Sequence, residues 1–148
     1  MADSRTIVTG VDGSETATAA AERAAVLAGA LGARLHVVSA FGKFESETVR
    51  IGSDTLLLST ERDAEEVAAK VTKALQAAHP DVQITSGAAE GKPGDALVAT
   101  AEALGAELIV VGNKRVQGIA GRVLGSIARD VAARASCDVY VAHTHERR

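Results

Sequence analysis

Apolar positions along this chain follow two periods that take turns. Arg5–Val11 (RTIVTGV) is a short β-branched run closed by Asp12-Gly13-Ser14, which predicts a buried strand turning into a helix. Over Glu15–Leu31 the apolar residues, mostly Ala, recur at helical spacing, with Ser14 placed to cap the start and Gly32 to end it. Arg34–Ala40 (RLHVVSA) predicts a second strand. Phe41–Thr55 has mixed charge and no clear period, and reads as an irregular loop. Leu56–Ala78 predicts a long amphipathic helix closed by His79-Pro80, and Val82–Ala88 (VQITSGA) a third strand. Gly91–Asp95 reads as a turn into a helix over Asp95–Leu104. Glu107–Val111 (ELIVV) is a fourth strand, followed by a glycine-rich segment. Ser126–Ala135 predicts the last helix and Asp138–His143 (DVYVAH) the last strand.

Strand and helix alternate throughout, and most strands are continuous aliphatic runs. That is the signature of a parallel sheet covered on both faces. The order predicts an α/β fold, a doubly wound, Rossmann-like, five-stranded parallel sheet. Ligands of such folds bind beyond the carboxyl ends of the strands, where the winding direction reverses. Gly10–Ser14 and Gly112–Ser126 both fall at strand carboxyl ends. No repeat, linker or second domain is evident, so residues 1–148 read as one domain with its core over about 5–144.

Composition narrows the function. Hydrophobic residues make up 47% of the 148 positions, yet aromatics only 2%. A domain of this length buries about 68–70% of its unfolded surface, enough for a core without disulfides or metal. Scarce aromatics argue against a base-stacking surface, and a net charge of −3 against a general grip on nucleic acid. Cys137 is the sole cysteine, so there is no internal disulfide or zinc cluster, which suits a reducing cytoplasm. The N-terminus lacks the pattern of a signal peptide, and no apolar stretch is long enough to span a membrane. The expectation is a cytoplasmic protein.

The segment after the fourth strand carries the most chemistry. It holds Gly112-Asn113-Lys114-Arg115, then Gly118, Gly121 and Gly125-Ser126-Ile127. Glycines let backbone approach a ligand, and helix-start N–H groups make an anion site. Ser126 would either cap that helix or donate to a phosphate. Lys114, Arg115 and Arg122 put three cations around the loop. The alternative is a basic surface loop. Two standard phosphate motifs are absent: Gly91-Lys92 runs into Pro93, and Gly10-Val11-Asp12-Gly13 has the wrong spacing for a dinucleotide fingerprint.

The spacing of Gly112, position 115 and Gly125-Ser126 resembles the nucleotide-binding motif G-2x-G-9x-G-[ST] of the universal stress protein family. VTGVDGS (Val8–Ser14) is similar to that family's first strand and turn, and CDVYVAH (Cys137–His143) to its last strand. The resemblance runs from about Thr6 to Thr144. It implies the adenine nucleotide alpha hydrolase-like form of the fold and binding of an adenine nucleotide, ATP first, with little or no turnover. Gly10, Val11 and Asp12 would hold adenine and ribose, Val38 the adenine edge, Gly112, Lys114 and Arg115 the ribose and phosphates. Gly125, Ser126 and Ile127 would cradle the phosphates. Asp12 could also help hold Mg²⁺ on the phosphates, or simply bond its own turn. Val38 could equally be a plain core valine.

One departure stands out: Arg115 replaces the motif's second glycine. Its Cβ restricts positive φ, while its guanidinium can fork onto a phosphate. Gly112-Asn113 and Ile119–Arg122 resemble members linked to cyclic AMP, whose single phosphate needs fewer donors. A member that binds no nucleotide and acts as a dimeric interaction module is the remaining reading. The last strand is apolar and carries no Lys or Pro, as a pairing edge would. The resemblance implies a homodimer through it. No residue reads as a positioned base for hydrolysis. His36, His79, His143 and His145 share no metal-ligand spacing. Cys137 reads as a small buried hydrophobe, and Glu61–Glu66 as a solvated helix face.

Overall fold

The computed structural model describes residues 5–42, 60–113 and 125–144. Five strands, β1 (Thr6–Gly10), β2 (Arg34–Phe41), β3 (Ile84–Glu90), β4 (Leu108–Gly112) and β5 (Asp138–Ala142), form one sheet in the order β3-β2-β1-β4-β5. Every pairing is parallel. The first three strands wind outward from β1 in one direction and the last two in the other. The winding therefore reverses between β1 and β4, as the doubly wound reading requires.

Side-chain alternation along each strand divides the core in two. Ile7, Leu35, Val37, Ile84 and Val110 belong to one buried cluster with α1 (Glu15–Leu31) and α2 (Glu61–Ala78). Val8, Val38, Ile109 and Val111 belong to a second, with α3 (Pro93–Leu104) and α4 (Ser126–Arg134). In α1 the buried residues are Ala20, Ala21, Ala24, Ala25 and Ala28, a stripe of the smallest side chains at helical spacing. Such a stripe lets the helix lie close on the sheet. Ser14 accepts from the Ala17 N–H and Gly32 closes the helix in the left-handed region, φ 68°, both as expected.

Several boundaries differ from the sequence reading, each for a local reason. Phe41 is not loop but the last residue of β2, paired with Glu90. Helix α2 starts at Glu61, because Thr60 and Asp63 form a reciprocal capping box there; positions 56–59 of the expected helix lie outside the described residues. Strand β3 begins two positions late, at Ile84, because the Val82 N–H is drawn into a turn by the His79 carbonyl at 3.1 Å. It then runs on to Glu90. Helix α3 begins at Pro93, so Pro93-Gly94-Asp95 is its first turn and not a preceding one. Proline suits that position, where its missing N–H leaves no bond unmade. Strand β5 ends at Ala142, one residue before His143.

Candidate functional site

The carboxyl ends of β2, β1 and β4 lie side by side. Gly10 is in register with Val38, and the Val11 N–H continues the ladder to the Val38 carbonyl at 2.9 Å. Thr9 pairs with Val110 on the other side, and its hydroxyl donates to the Val110 carbonyl at 2.9 Å. Gly10, Val11, Asp12, Val38 and Gly112 are thus brought together at the edge where the winding reverses.

Two of these residues turn out to have packing reasons of their own. A Cβ on Gly112 would stand 2.9 Å from Thr16 Cγ2, 3.0 Å from the Thr16 carbonyl oxygen and 3.3 Å from Thr144 Cγ2. A Cβ on Gly10 would meet the end of Leu97 at 3.1 Å. Neither glycine has a positive φ, so close approach is the constraint, from α1 and the chain after β5 at Gly112, and from α3 at Gly10.

Asp12 shows the turn behaviour weighed against its ligand role. Its Oδ1 accepts from the Ser14 N–H at 2.9 Å while the residue stays exposed. A carboxylate has further lone pairs, so the second oxygen remains open to solvent-side donors. Val38 is buried at 3% exposure and packs in the second core cluster, three residues before β2 ends. Its side chain is a core valine, the alternative weighed for it, while its carbonyl accepts from the Val11 N–H.

At α4 one of the two readings of Ser126 is overturned. The N-cap is Gly125, φ −64° and ψ 164°, and Ser126 is the first helical residue, so Ser126 does not cap the helix. Among the described residues no side chain caps α4. Its first N–H groups, at Ser126, Ile127 and Ala128, have no partner within the helix and carry the positive end of its dipole. In α1 one of the equivalent groups, the Ala17 N–H, is engaged by the Ser14 hydroxyl. Because β4 and β5 are parallel neighbours, α4 must run back against them, which sends its start to the carboxyl edge of the sheet. Ser126 and Ile127 are both exposed there. Lys114, Arg115 and Arg122, with Gly118 and Gly121, lie outside the described residues.

Sequence reasoning missed Thr16 and Thr144, which press on Gly112, and gave the neighbouring Asn113 side chain no role. The Asn113 N–H donates to the Ala142 carbonyl at 3.1 Å, and the Thr144 hydroxyl to the Asn113 carbonyl at 3.4 Å. Thr16 and Thr144 come from distant parts of the chain, and nothing local marks them. Cys137 fits its inert reading: burial, then the nearby Asp138 and Glu102, push its thiol pKa up. Burial lowers the pKa of His36, whose Nδ1 lies 2.8 Å from the Thr85 hydroxyl. Among the described residues no three His, Cys, Asp or Glu gather as a metal site, and no helix is long and apolar enough to cross a membrane.

The model of the universal stress protein family matches residues 4–143. The chain belongs to that family. Universal stress protein Rv1636 of Mycobacterium tuberculosis is 34% identical over 154 aligned positions, covering 97% of this chain and 99% of that one. A universal stress protein crystallised in complex with cAMP superposes with a TM-score of 0.71 at 31% identity, covering 97% of this chain and all of that one. The universal stress protein of Archaeoglobus fulgidus in complex with dAMP has the same fold, TM-score 0.65, at 22% identity over 95% of this chain and 98% of that one.

Proposed function

We propose that this universal stress protein binds an adenine nucleotide at the carboxyl ends of β1 and β4, with cyclic AMP ahead of ATP, and serves in stress response or signalling. The observation that carries the reading is the uncapped start of α4 at Gly125–Ile127, on the same edge as Gly10–Asp12 and Gly112. Those N–H groups would take the phosphate. The adenosine would extend from there toward the end of β1. Cyclic AMP leads because the relative crystallised with it is similar along nearly the whole chain. ATP is the second reading, supported by the motif spacing from Gly112 to Gly125-Ser126. Magnesium would then arrive on its phosphates, with Asp12 as the nearby carboxylate. Binding with little or no turnover is part of the proposal, because no residue reads as a positioned base for hydrolysis.

Thermal shift with cyclic AMP, AMP and ATP plus Mg²⁺, each alone, tests this. A ligand at 100 times its dissociation constant adds about 2.7 kcal/mol. For a domain of this size that is a rise of roughly 5–10 °C. The largest rise is expected with cyclic AMP. No rise with any of them at millimolar concentration would sink the proposal and leave the nucleotide-free interaction module.

An isologous homodimer through β5 completes the proposal. Among the described strands β5 pairs with β4 alone, and an open apolar edge tends to acquire a partner. Sedimentation should give a dimer for the native chain and a monomer for Val141→Pro. A native monomer at micromolar concentration would remove this part.

A further inference from the structure

Asn113 follows Gly112 directly beyond β4, beside the point where the winding reverses. Both backbone groups are committed, the N–H to Ala142 and the carbonyl to Thr144, so the residue is pinned to the chain leaving β5. Its side chain is a different matter. Asn113 Oδ1 is buried and, among the described residues, has no hydrogen-bond partner. Buried acceptors are nearly always paired, because an unpaired one forfeits its bonds to water without return. Thr72 Oγ1 in α2 is also buried and unpaired, but a helical threonine can turn its hydroxyl onto the carbonyl one turn back. Asn113 Oδ1 has no such recourse, because an amide oxygen only accepts and no carbonyl can serve it.

We propose that Asn113 is a specificity-determining residue whose side-chain amide accepts a hydrogen bond from a hydroxyl or amino donor of the bound nucleoside. The inference rests on the nucleotide reading above and deepens it. Phosphate oxygens of the ligand carry no proton near neutral pH and cannot serve a lone acceptor. The donor therefore comes from the sugar or the base. In cyclic AMP those are the 2′-hydroxyl and the exocyclic amine. The arrangement leaves a polar group unsatisfied in the free protein and satisfies it on binding, so a ligand lacking the donor is rejected through that unmet group. Asn113 contacts ligand in this account and does not act through another residue.

The test uses the full chain, with Asn113→Leu as an apolar near-isostere and Asn113→Ala measured in parallel, so that a folding defect in the bulkier variant decides nothing. Calorimetric affinities are taken for cyclic AMP, its 2′-deoxy analogue and the purine analogue without the exocyclic amine, beside the ligand-free melting midpoint. Cyclic AMP affinity should fall about tenfold in the variants, the loss expected for one hydrogen bond of this kind. The ligand-free midpoint should stay level or rise, because the orphaned group has gone. One analogue, the one missing the true donor, should bind native and variant protein equally. A fall in midpoint with unchanged cyclic AMP affinity would assign Asn113 a structural role and overturn the proposal. Equal losses with both analogues would also overturn it. Absence of binding to the native protein would take down the nucleotide reading itself, and this inference with it.

Discussion

Replacing Gly112 by alanine separates packing from ligand binding at the most informative glycine. The added methyl would lie 2.9 Å from Thr16 Cγ2 and 3.0 Å from the Thr16 carbonyl oxygen, with Thr144 Cγ2 at 3.3 Å. Carbon atoms are comfortable at about 3.5–4.0 Å. A side-chain methyl can give way, but the Thr16 carbonyl belongs to the first turn of α1 and moves only with the helix. Overpacking of this kind costs about 1–3 kcal/mol. At about 2–4 °C per kcal/mol for a domain near this length, the midpoint should fall by roughly 3–10 °C. The assay is thermal unfolding by circular dichroism without ligand, so that lost binding contributes nothing. Thr16→Ser in the same background removes Cγ2 and leaves the carbonyl, and should recover part of the loss. Gly10→Ala should cost less, since its methyl meets side-chain atoms of Leu97 at 3.1–3.2 Å and no backbone atom. A Gly112→Ala midpoint within about 1 °C of native would refute the packing argument and return Gly112 to a ligand role alone.

Three further outcomes follow from the same structure. Gly125→Asp supplies a side-chain cap for α4 and should raise the ligand-free midpoint by about 1 °C, from a few tenths of a kcal/mol over glycine; its carboxylate would occupy the phosphate position, so calorimetry should show nucleotide affinity reduced at least about tenfold. Thr60→Ala breaks the capping box in which Thr60 Oγ1 accepts from the Asp63 N–H at 3.0 Å, and should lower the midpoint by about 3 °C, from about 1 kcal/mol. His36 has a pKa lowered by burial from its ordinary 6.5, so folding favours the neutral ring. Its contribution is present above that value and lost as pH falls through the lower, folded one. Urea unfolding at pH 7 and pH 5 should therefore show a smaller acid loss in His36→Gln than in the native chain, and an equal loss would contradict the assignment.

The sheet and its winding were legible because each strand is a compact aliphatic run between turn residues, and each helix a regular stripe. What escaped was of two kinds. Boundaries moved where a short-range bond outweighed the pattern, as with the Val82 N–H held by His79, or Pro93 starting α3 where it read as part of a turn. Reasons escaped where the partners are far apart in the chain. Gly112 looked like a ligand glycine from motif spacing and Gly10 from the family resemblance, yet Leu97, Thr16 and Thr144 each press on one of them through the fold. Ser126 looked like a cap from its residue type, and only the backbone at Gly125 shows which residue stands at the helix boundary. Asn113 was noticed in the sequence only as part of the Gly112-Asn113 opening, and its side chain drew no role because an asparagine after glycine is ordinary turn chemistry. Its burial is what makes it unusual.

The central claim is where the nucleotide sits, and amide chemical-shift mapping during a cyclic AMP titration tests it most directly. The account predicts saturable shifts concentrated at Gly10–Asp12, Gly112–Asn113 and Gly125–Ala128, with the outer strand β3 undisturbed. Shifts centred elsewhere, or none at millimolar cyclic AMP, would contradict it.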